Sequence, residues 1–192
     1  MRILIIHNYP SVIEVRNSTY NSQEVGLARA MVRRGHTCDL LLWGEKDETL
    51  TVPLEEGGKI TVYYRTGKDI SRNALFYDIS DLVERYDILQ PCEYSQILSW
   101  QLAKKYPQKT VIFHGPYYPA FNKRYNIFCH LFDIFCLKSY KKLGTPFITK
   151  SHLAQRSLNA KGLSNVKTIG VGIDLEALSQ TDETTPSFIE EI

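Results

Sequence analysis

The fold class is decided by residues 2–43, which contain in turn the segments RILIIHN (2–8), NSQEVGLARAMVRR (21–34) and TCDLLLW (37–43). The first and third segments are short, nearly continuous apolar runs, which are typical of strands buried on both faces. The middle segment carries apolar residues at helical spacing and is followed by Gly35, a common helix stop. A strand, a helix and a strand in so short a stretch predict a βαβ unit, and therefore a parallel sheet.

The same alternation of strand-like and helix-like periods continues along the chain. Further strands are predicted at 59–65, 87–90, 109–114, 146–150 and 166–171, and helices at 70–86, 94–106, 122–142 and 152–160. The sequence thus predicts an α/β fold with a doubly wound, mostly parallel, Rossmann-like sheet over residues 1–173. Residues 174–192 are too few to fold alone, and we expect an acidic linker or the truncated start of a further domain.

The composition of the 192 residues is that of a globular domain, with 43% hydrophobic and 23% charged residues. The formal net charge is +2, but residues 174–192 contain six acidic and no basic residues, so that residues 1–173 carry +8. This moderately basic body suits an anionic ligand or surface. It is too weakly basic to require nucleic acid, and no nucleic-acid partner is predicted.

Several classes of protein are disfavoured. No apolar run approaches the length of about 18 residues that a transmembrane helix needs, and the apolar run after Met1 is too short for a signal peptide, so a cytoplasmic protein is predicted. No C-x-x-C motif occurs, so the cysteines are interpreted as packing residues and no metal site is predicted. The dinucleotide motif G-x-G-x-x-G and the P-loop motif are absent, and no cofactor is predicted.

In a doubly wound sheet the ligand crevice lies outside the carboxyl ends of the strands. This rule selects residues 7–20, 43–45, 91–93, 114–118, 150–152 and 170–174. His114 is the most notable, because it ends an apolar strand and precedes Gly115, which lets a ligand approach the backbone; the alternative is a histidine that only hydrogen-bonds a neighbouring loop. Small polar residues before the first helix either hold an anion or simply cap that helix. The candidate binding residues are Asn17, Ser18, Thr19, Tyr20, Gly115, Tyr117, Lys150 and Ser151.

Residues 117–142 are rich in aromatic side chains and carry five basic residues against one acidic residue, a net charge of +4. A helix of this kind can lie on an anionic membrane surface. The spacing of Phe128, Leu131, Phe132 and Phe135 equally fits a helix packed in the core with solvated lysines. Both interpretations remain open at this point.

The motifs together resemble the retaining family-4 glycosyltransferases with the GT-B fold. QEVGLARA (23–30) followed by RGHTCDL (34–40) resembles the opening of that family, and FHG (113–115) resembles its strand-end histidine. TKSH (149–152) followed by Leu158 resembles a further family segment, and TIGVGIDL (168–175) is similar to the signature that leads into the inter-domain linker. The resemblance covers about residues 2–175. The first loop differs, since it lacks the two glycines that the family commonly has there.

The resemblance implies metal-independent transfer of a sugar, with retention, from a nucleotide-sugar donor to a glycan or lipid-linked acceptor, typically in bacterial surface-polysaccharide synthesis. It implies that this chain is the acceptor-side N-terminal domain, and that a C-terminal domain which binds the nucleotide is missing, so that the chain alone is expected to be inactive. It gives His114 a catalytic role in contact with the donor sugar. A lipid-linked acceptor would place the protein at the inner membrane face, with peripheral contact through 117–142.

Two other classes remain open. One is a stand-alone, flavodoxin-like domain that binds a small ligand without transferring anything. The other is one half of a nucleotide-sugar isomerase, which would act on a nucleotide sugar without an added acceptor.

Overall fold

The computed structural model describes residues 1–15, 23–54, 57–115 and 123–172. The strands of this part of the chain are β1 (Arg2–Ile6), β2 (Thr37–Trp43), β3 (Glu48–Pro53), β4 (Lys59–Arg65), β5 (Gly67–Ile70), β6 (Asn73–Phe76), β7 (Ile88–Pro91), β8 (Ile112–His114), β9 (Phe147–Thr149) and β10 (Val166–Thr168). The helices are α1 (Gln23–Arg33), α2 (Ser80–Arg85), α3 (Ile97–Lys105), α4 (Lys123–Phe132), α5 (Lys138–Leu143) and α6 (His152–Ala160). A π-helical segment, Asp133–Leu137, joins α4 to α5.

The central strand β1 lies between β2 and β7 in a sheet of order β3-β4-β2-β1-β7. The strands β8, β9 and β10 continue this sheet, because the parallel bridges Leu89–Thr110 and Cys92–Phe113 connect the β7 region to the β8 region. Only the β3–β4 pair is antiparallel among the described pairings of these eight strands. The prediction of an α/β fold with a mostly parallel sheet is therefore confirmed.

Successive residues of β1 face opposite sides of the sheet, and each side is covered by helices. Ile3 and Ile5 pack with residues of α1, whereas Leu4 and Ile6 pack with residues of α2 and α3. Both sets are almost fully buried, as expected for a strand that reads as a continuous apolar run. The first helix ends at Arg33, and Gly35 follows in the turn with a φ of 81°, the left-handed conformation that glycine adopts without strain, as its predicted role of helix stop requires.

The predicted helix over 70–86 is wrong in its first half. Residues 67–70 and 73–76 pair as the antiparallel β5–β6 hairpin, whose turn residues Ser71 and Arg72 both have positive φ, and only Ser80–Arg85 are helical. The apolar residues of the predicted helix face nevertheless pack together against the sheet. A hairpin followed by a short helix places them on the same side as one long helix would, so periodicity could not separate the two. A further edge strand, β3, precedes β4 in a stretch for which neither a strand nor a helix was predicted.

The long helix predicted over 122–142 is present, and it is continuous from Lys123 through the π-helical segment to Leu143. Its core face is Cys129, Phe132, Cys136 and Tyr140. The predicted core face is wrong at two positions, because Leu131 is 51% and Phe135 is 75% exposed. Apolar side chains occur all around this helix, so the sequence pattern alone could not select the face that meets α3 and β9. His130 of this helix is also exposed.

The four cysteines are buried and unpaired, which confirms their interpretation as packing residues. Among the described helices, none combines the length and the apolar character needed to span a bilayer. The predicted acidic linker, residues 174–192, lies outside the described residues.

Candidate functional site

Four neighbouring strands of the sheet, β1, β7, β8 and β9, end at a common carboxyl edge. The residues at or just beyond these ends are polar or charged: His7 follows β1, Glu93 follows β7, His114 ends β8 and Lys150 follows β9. After β1 the chain first adds β2, β3 and β4 on one side of that strand, and it then adds β7 on the other side. The strand order therefore reverses between β1 and β7. Sheets of this kind bind ligands beside such a reversal, so this edge is the candidate site.

Glu93 and His114 form the most tightly built part of the edge. Glu93 Oε2 lies 2.5 Å from His114 Nδ1, and Glu93 Oε1 accepts the amide hydrogen of Gly115 at 2.9 Å. Glu93 itself has a φ of 65°, which is unusual for a residue other than glycine. Its amide donates to the carbonyl of Phe113. The fold therefore holds Glu93 in a strained backbone conformation. In this conformation its carboxylate reaches two donors at the end of the neighbouring strand, His114 Nδ1 and the Gly115 amide.

The imidazole of His114 is fixed from a second side by an aromatic ring. The Tyr94 ring meets it edge-on with the ring centroids 5.2 Å apart. The residue is only 1% exposed, and its Nε2 has no hydrogen-bond partner among the described residues. With Nδ1–H donated to Glu93, a neutral ring leaves the Nε2 lone pair to accept a hydrogen bond. A buried, unpaired nitrogen of this kind costs free energy unless a further donor meets it.

Gly115 makes this arrangement possible. A Cβ atom at this position would lie 2.7 Å from Glu93 Oε1, which is closer than two such atoms can approach. Gly115 was predicted to let a ligand approach the backbone. In the structure, the group that approaches it is the carboxylate of Glu93 from the same chain. Gly115 is buried, as is His114 beside it.

A second cluster at the edge joins His7, Glu24 and Cys92. His7 Nδ1 lies 3.2 Å from a carboxylate oxygen of Glu24, which α1 contributes from its first turn. Burial raises the pKa of Glu24, but its hydrogen bonds to His7 and to its own backbone amide, with the positive charges of His7 and Lys150, outweigh burial and lower it. The pKa of the Cys92 thiol is raised, because the thiol is buried and faces the carboxylates of Glu24 and Glu93.

Among the described residues, the side chains of this second cluster come close enough together to share a metal ion. One ligand atom from each of His7, Glu24 and Cys92 lies within 4.8 Å of the others, and His, Glu and Cys are all ligands of Zn²⁺. The neighbouring charge of Lys150, felt by both Glu24 and Cys92, opposes a cation there. The raised thiol pKa also disfavours the thiolate that a metal requires. We therefore interpret the cluster as a hydrogen-bonded pair beside a neutral thiol.

Asn8 holds the loops behind the edge in register. Its side-chain amide donates to Ser99 Oγ, and its carbonyl oxygen accepts the amide hydrogen of Cys92, each at 3.0 Å. Ser99 in turn donates to the carbonyl of Cys92. Since Asn8 is fully buried, these bonds tie the end of β1 to the end of β7 and to α3. They fix the backbone from which the Glu93 side chain extends.

The structure brings together three of the predicted site residues, His114, Gly115 and Lys150. The Lys150 amide donates to the His114 carbonyl, and its ammonium lies 5.1 Å from the centroid of the Phe113 ring. Ser151 is adjacent, but its hydroxyl oxygen accepts the amide hydrogen of Ala154 and so serves as the N-cap of α6. The remaining predicted binding residues lie outside the described part of the chain: Asn17, Ser18, Thr19, Tyr20 and Tyr117.

The sequence did not single out the side chain of Glu93, and Glu24 was considered only as part of the cap of the first helix. Glu93 lay within the selected strand-end segment 91–93, and the strand-end rule applied to carboxylates would have found it. Glu24 carried no such sign, because it lies in a helix 17 residues after His7, and only the packing of α1 places the two side chains together.

The sequence matches no protein-family model and no curated protein.

Proposed function

We propose that this chain is the acceptor-side domain of a retaining glycosyltransferase, with the doubly wound, Rossmann-like architecture of one half of a GT-B enzyme. In this proposal a sugar moves from a nucleotide-sugar donor to a glycan or lipid-linked acceptor, in bacterial surface-polysaccharide synthesis. A C-terminal domain would bind the nucleotide and form the other wall of the cleft. The sequence motifs that resemble the family, and the strand-end position of His114, support the proposal.

The observation that carries it is the Nε2 of His114, which is buried at the carboxyl edge of the sheet and has no hydrogen-bond partner among the described residues. Glu93 accepts from Nδ1, so the neutral form of the ring presents at Nε2 a hydrogen-bond acceptor of defined direction. A sugar hydroxyl is a matching donor, and its bond to Nε2 would satisfy a nitrogen that none of the described residues pairs with. His114 would thus hold the transferred sugar in a fixed orientation, which lowers the entropic part of the barrier to transfer.

Lys150 supplies the electrostatic part of the proposed site. Its amide is bonded to His114, and its charge is felt by Glu24 and Cys92 across the edge. A cation so placed would attract the negatively charged phosphates of a donor or of a lipid-linked acceptor. Glu93 and Glu24 already use their carboxylates within the chain, on His114 and His7 respectively, so they do not cancel that attraction fully.

Ligand-observed NMR on the 192-residue chain tests the proposal directly. UDP-glucose and GDP-mannose serve as probes, and saturation transferred from the protein is compared between sugar-ring and nucleobase protons. We expect stronger transfer to the sugar ring, because the proposal leaves nucleotide binding to another domain. His114→Ala should weaken binding about tenfold, the value of one hydrogen bond to a buried polar group. His130→Ala, which removes an exposed histidine of α4, is the matched control.

The other outcomes are equally informative. Equal binding by His114→Ala and the unaltered chain, with both folded, would contradict the role of His114. Stronger saturation of nucleobase protons would contradict an acceptor-side domain. Conversion of either probe to another sugar nucleotide without an acceptor would favour an isomerase.

A further inference from the structure

An exposed apolar stripe runs along the continuous helix formed by α4, the π-helical segment and α5. It consists of Ile127, Leu131, Ile134 and Phe135, which are 63%, 51%, 60% and 75% exposed. The spacing of four, three and one residues keeps these side chains on one face of the helix. The opposite face is buried against the core, so the helix is apolar on two sides, one of which has no cover among the described residues.

Basic side chains border both ends of the apolar stripe. Arg124 lies about one turn before Ile127, and Lys138 and Lys142 follow Phe135 at intervals that continue the same face; all three are exposed. The segment from 117 to 142 contains one acidic residue, Asp133, and its carboxylate pairs with Lys161 of the segment after α6. Among the described residues of this helix, those that flank the apolar stripe at its two ends therefore carry positive charge.

We propose that this helix docks the protein on an anionic lipid surface, with the apolar stripe buried at the boundary between headgroups and acyl chains. The helix of 21 residues is about 30 Å long and would lie in the plane of the interface. Its lysines and arginine would extend to the lipid phosphates while their aliphatic stems cover the acyl boundary. The opposite face is anchored in the core by Phe132 and Tyr140, so the helix is presented as a rigid edge of the fold.

The charge pattern favours a membrane over a second copy of this chain. Two copies joined through their apolar stripes by a two-fold axis would bring the basic ends of one stripe close to the basic ends of the other. Such a pairing sets like charges together at the rim of the interface and is disfavoured. An anionic lipid surface meets the same pattern with opposite charge. This inference does not depend on the proposed glycosyl transfer, and its test uses no activity.

Sedimentation with lipid vesicles tests the proposal on the whole 192-residue chain. The vesicles contain either equal parts of phosphatidylglycerol and phosphatidylcholine or phosphatidylcholine alone. We expect binding to the anionic vesicles, much weaker binding to the neutral ones, and a loss of binding as salt is added. Absence of binding to the anionic vesicles would overturn the proposal.

Two double variants separate the contributions, each with a matched control. Ile134→Ser with Phe135→Ser should lower vesicle binding at least about tenfold, since both apolar side chains leave the lipid. Ile70→Ser with Tyr77→Ser removes two exposed apolar residues elsewhere and should leave binding unchanged. Lys138→Glu with Lys142→Glu should lower vesicle binding on the order of 30-fold or more, because each lysine near an anionic surface raises the affinity roughly fivefold. Lys59→Glu with Lys68→Glu is the control for net charge.

The substituted residues are exposed, so circular dichroism and thermal unfolding should show native folds for all four variants. Equal losses of binding in a variant and its control would overturn the proposal, because binding would then follow net charge or total apolar surface. Concentration-dependent dimerisation of the unaltered chain that Ile134→Ser with Phe135→Ser abolishes, without vesicle binding, would also overturn it and assign the stripe to a second copy.

Discussion

Glu93 Oε2 and His114 Nδ1 lie 2.5 Å apart, and this contact joins the carboxyl ends of two neighbouring strands. The second carboxylate oxygen of Glu93 accepts the amide hydrogen of Gly115. One side chain thus satisfies two donors that the fold has taken out of water. The same contact determines which imidazole nitrogen of His114 is left for a ligand.

We expect Glu93→Ala to lower the free energy of unfolding by about 3 kcal/mol. The change leaves His114 Nδ1 and the Gly115 amide without their acceptor, and each buried donor left unpaired is costly. Urea denaturation measures the loss. Glu84→Ala, which removes an exposed carboxylate from α2, should change stability by less than about 0.5 kcal/mol. A loss for Glu93→Ala as small as that of the control would argue against the contact.

Gly115→Ala should destabilise the protein by about 2 kcal/mol, because the added Cβ meets the carboxylate of Glu93 at 2.7 Å. The cost should fall below about 0.5 kcal/mol when Glu93 is already alanine, since the colliding atoms are then absent. A double-mutant cycle in urea measures this coupling. Gly172→Ala is the control, because a Cβ there meets nothing within 4 Å. Additive losses in the cycle would show that Glu93 is not what Gly115 accommodates.

The stabilising effect of Glu24 should depend on pH. Its pKa is lowered in the folded protein, so the ionised form favours folding at a pH above its ordinary value and loses that effect as the pH falls through the folded value. Glu24→Gln should therefore cost about 1–2 kcal/mol at neutral pH and much less at a pH of about 3. Urea denaturation across this range measures the difference. The exposed Glu45→Gln variant should show no such trend, and a cost for Glu24→Gln that grows in acid would contradict the assignment.

The β5–β6 turn should accept the sequence Asn-Gly. Ser71 and Arg72 have φ values of 52° and 65°, and Asn-Gly is the preferred pair for a two-residue turn with both φ values positive. Ser71→Asn with Arg72→Gly should raise the free energy of unfolding by about 1 kcal/mol, measured by thermal and urea denaturation. Substitution of both residues by valine should destabilise, because β-branched residues avoid positive φ. In a helix the glycine would instead cost about 1 kcal/mol, so the sign of the effect distinguishes the hairpin from the helix that periodicity predicted.

Much of the architecture followed from local pattern. The apolar runs at 2–8 and 37–43 could be satisfied only by burial on both faces, and Gly35 marked the end of the helix between them. His114 and Gly115 were found at a strand end because parallel strands bring their carboxyl ends to one edge. The segment at 70–79 was predicted as part of a helix, because its apolar residues suit either a helix or a hairpin, and the choice depended on a turn with two positive φ values.

The sequence by itself determined the α/β class and the buried strands, because hydrophobic periodicity is a local property of the chain. It also determined the edge at which a site would lie, because parallel strands bring their carboxyl ends to one edge of the sheet. Tertiary structure alone decided that Glu93 reaches His114, that Glu24 reaches His7, and which side of the long helix is left exposed. His7 and Glu24 are 17 positions apart in the sequence, and Glu93 and His114 are 21 positions apart. Helix packing joins the first pair and strand order joins the second, and periodicity carries no information about either contact. On the long helix the apolar residues outnumber the positions that α3 and β9 can cover, so only packing could choose among them.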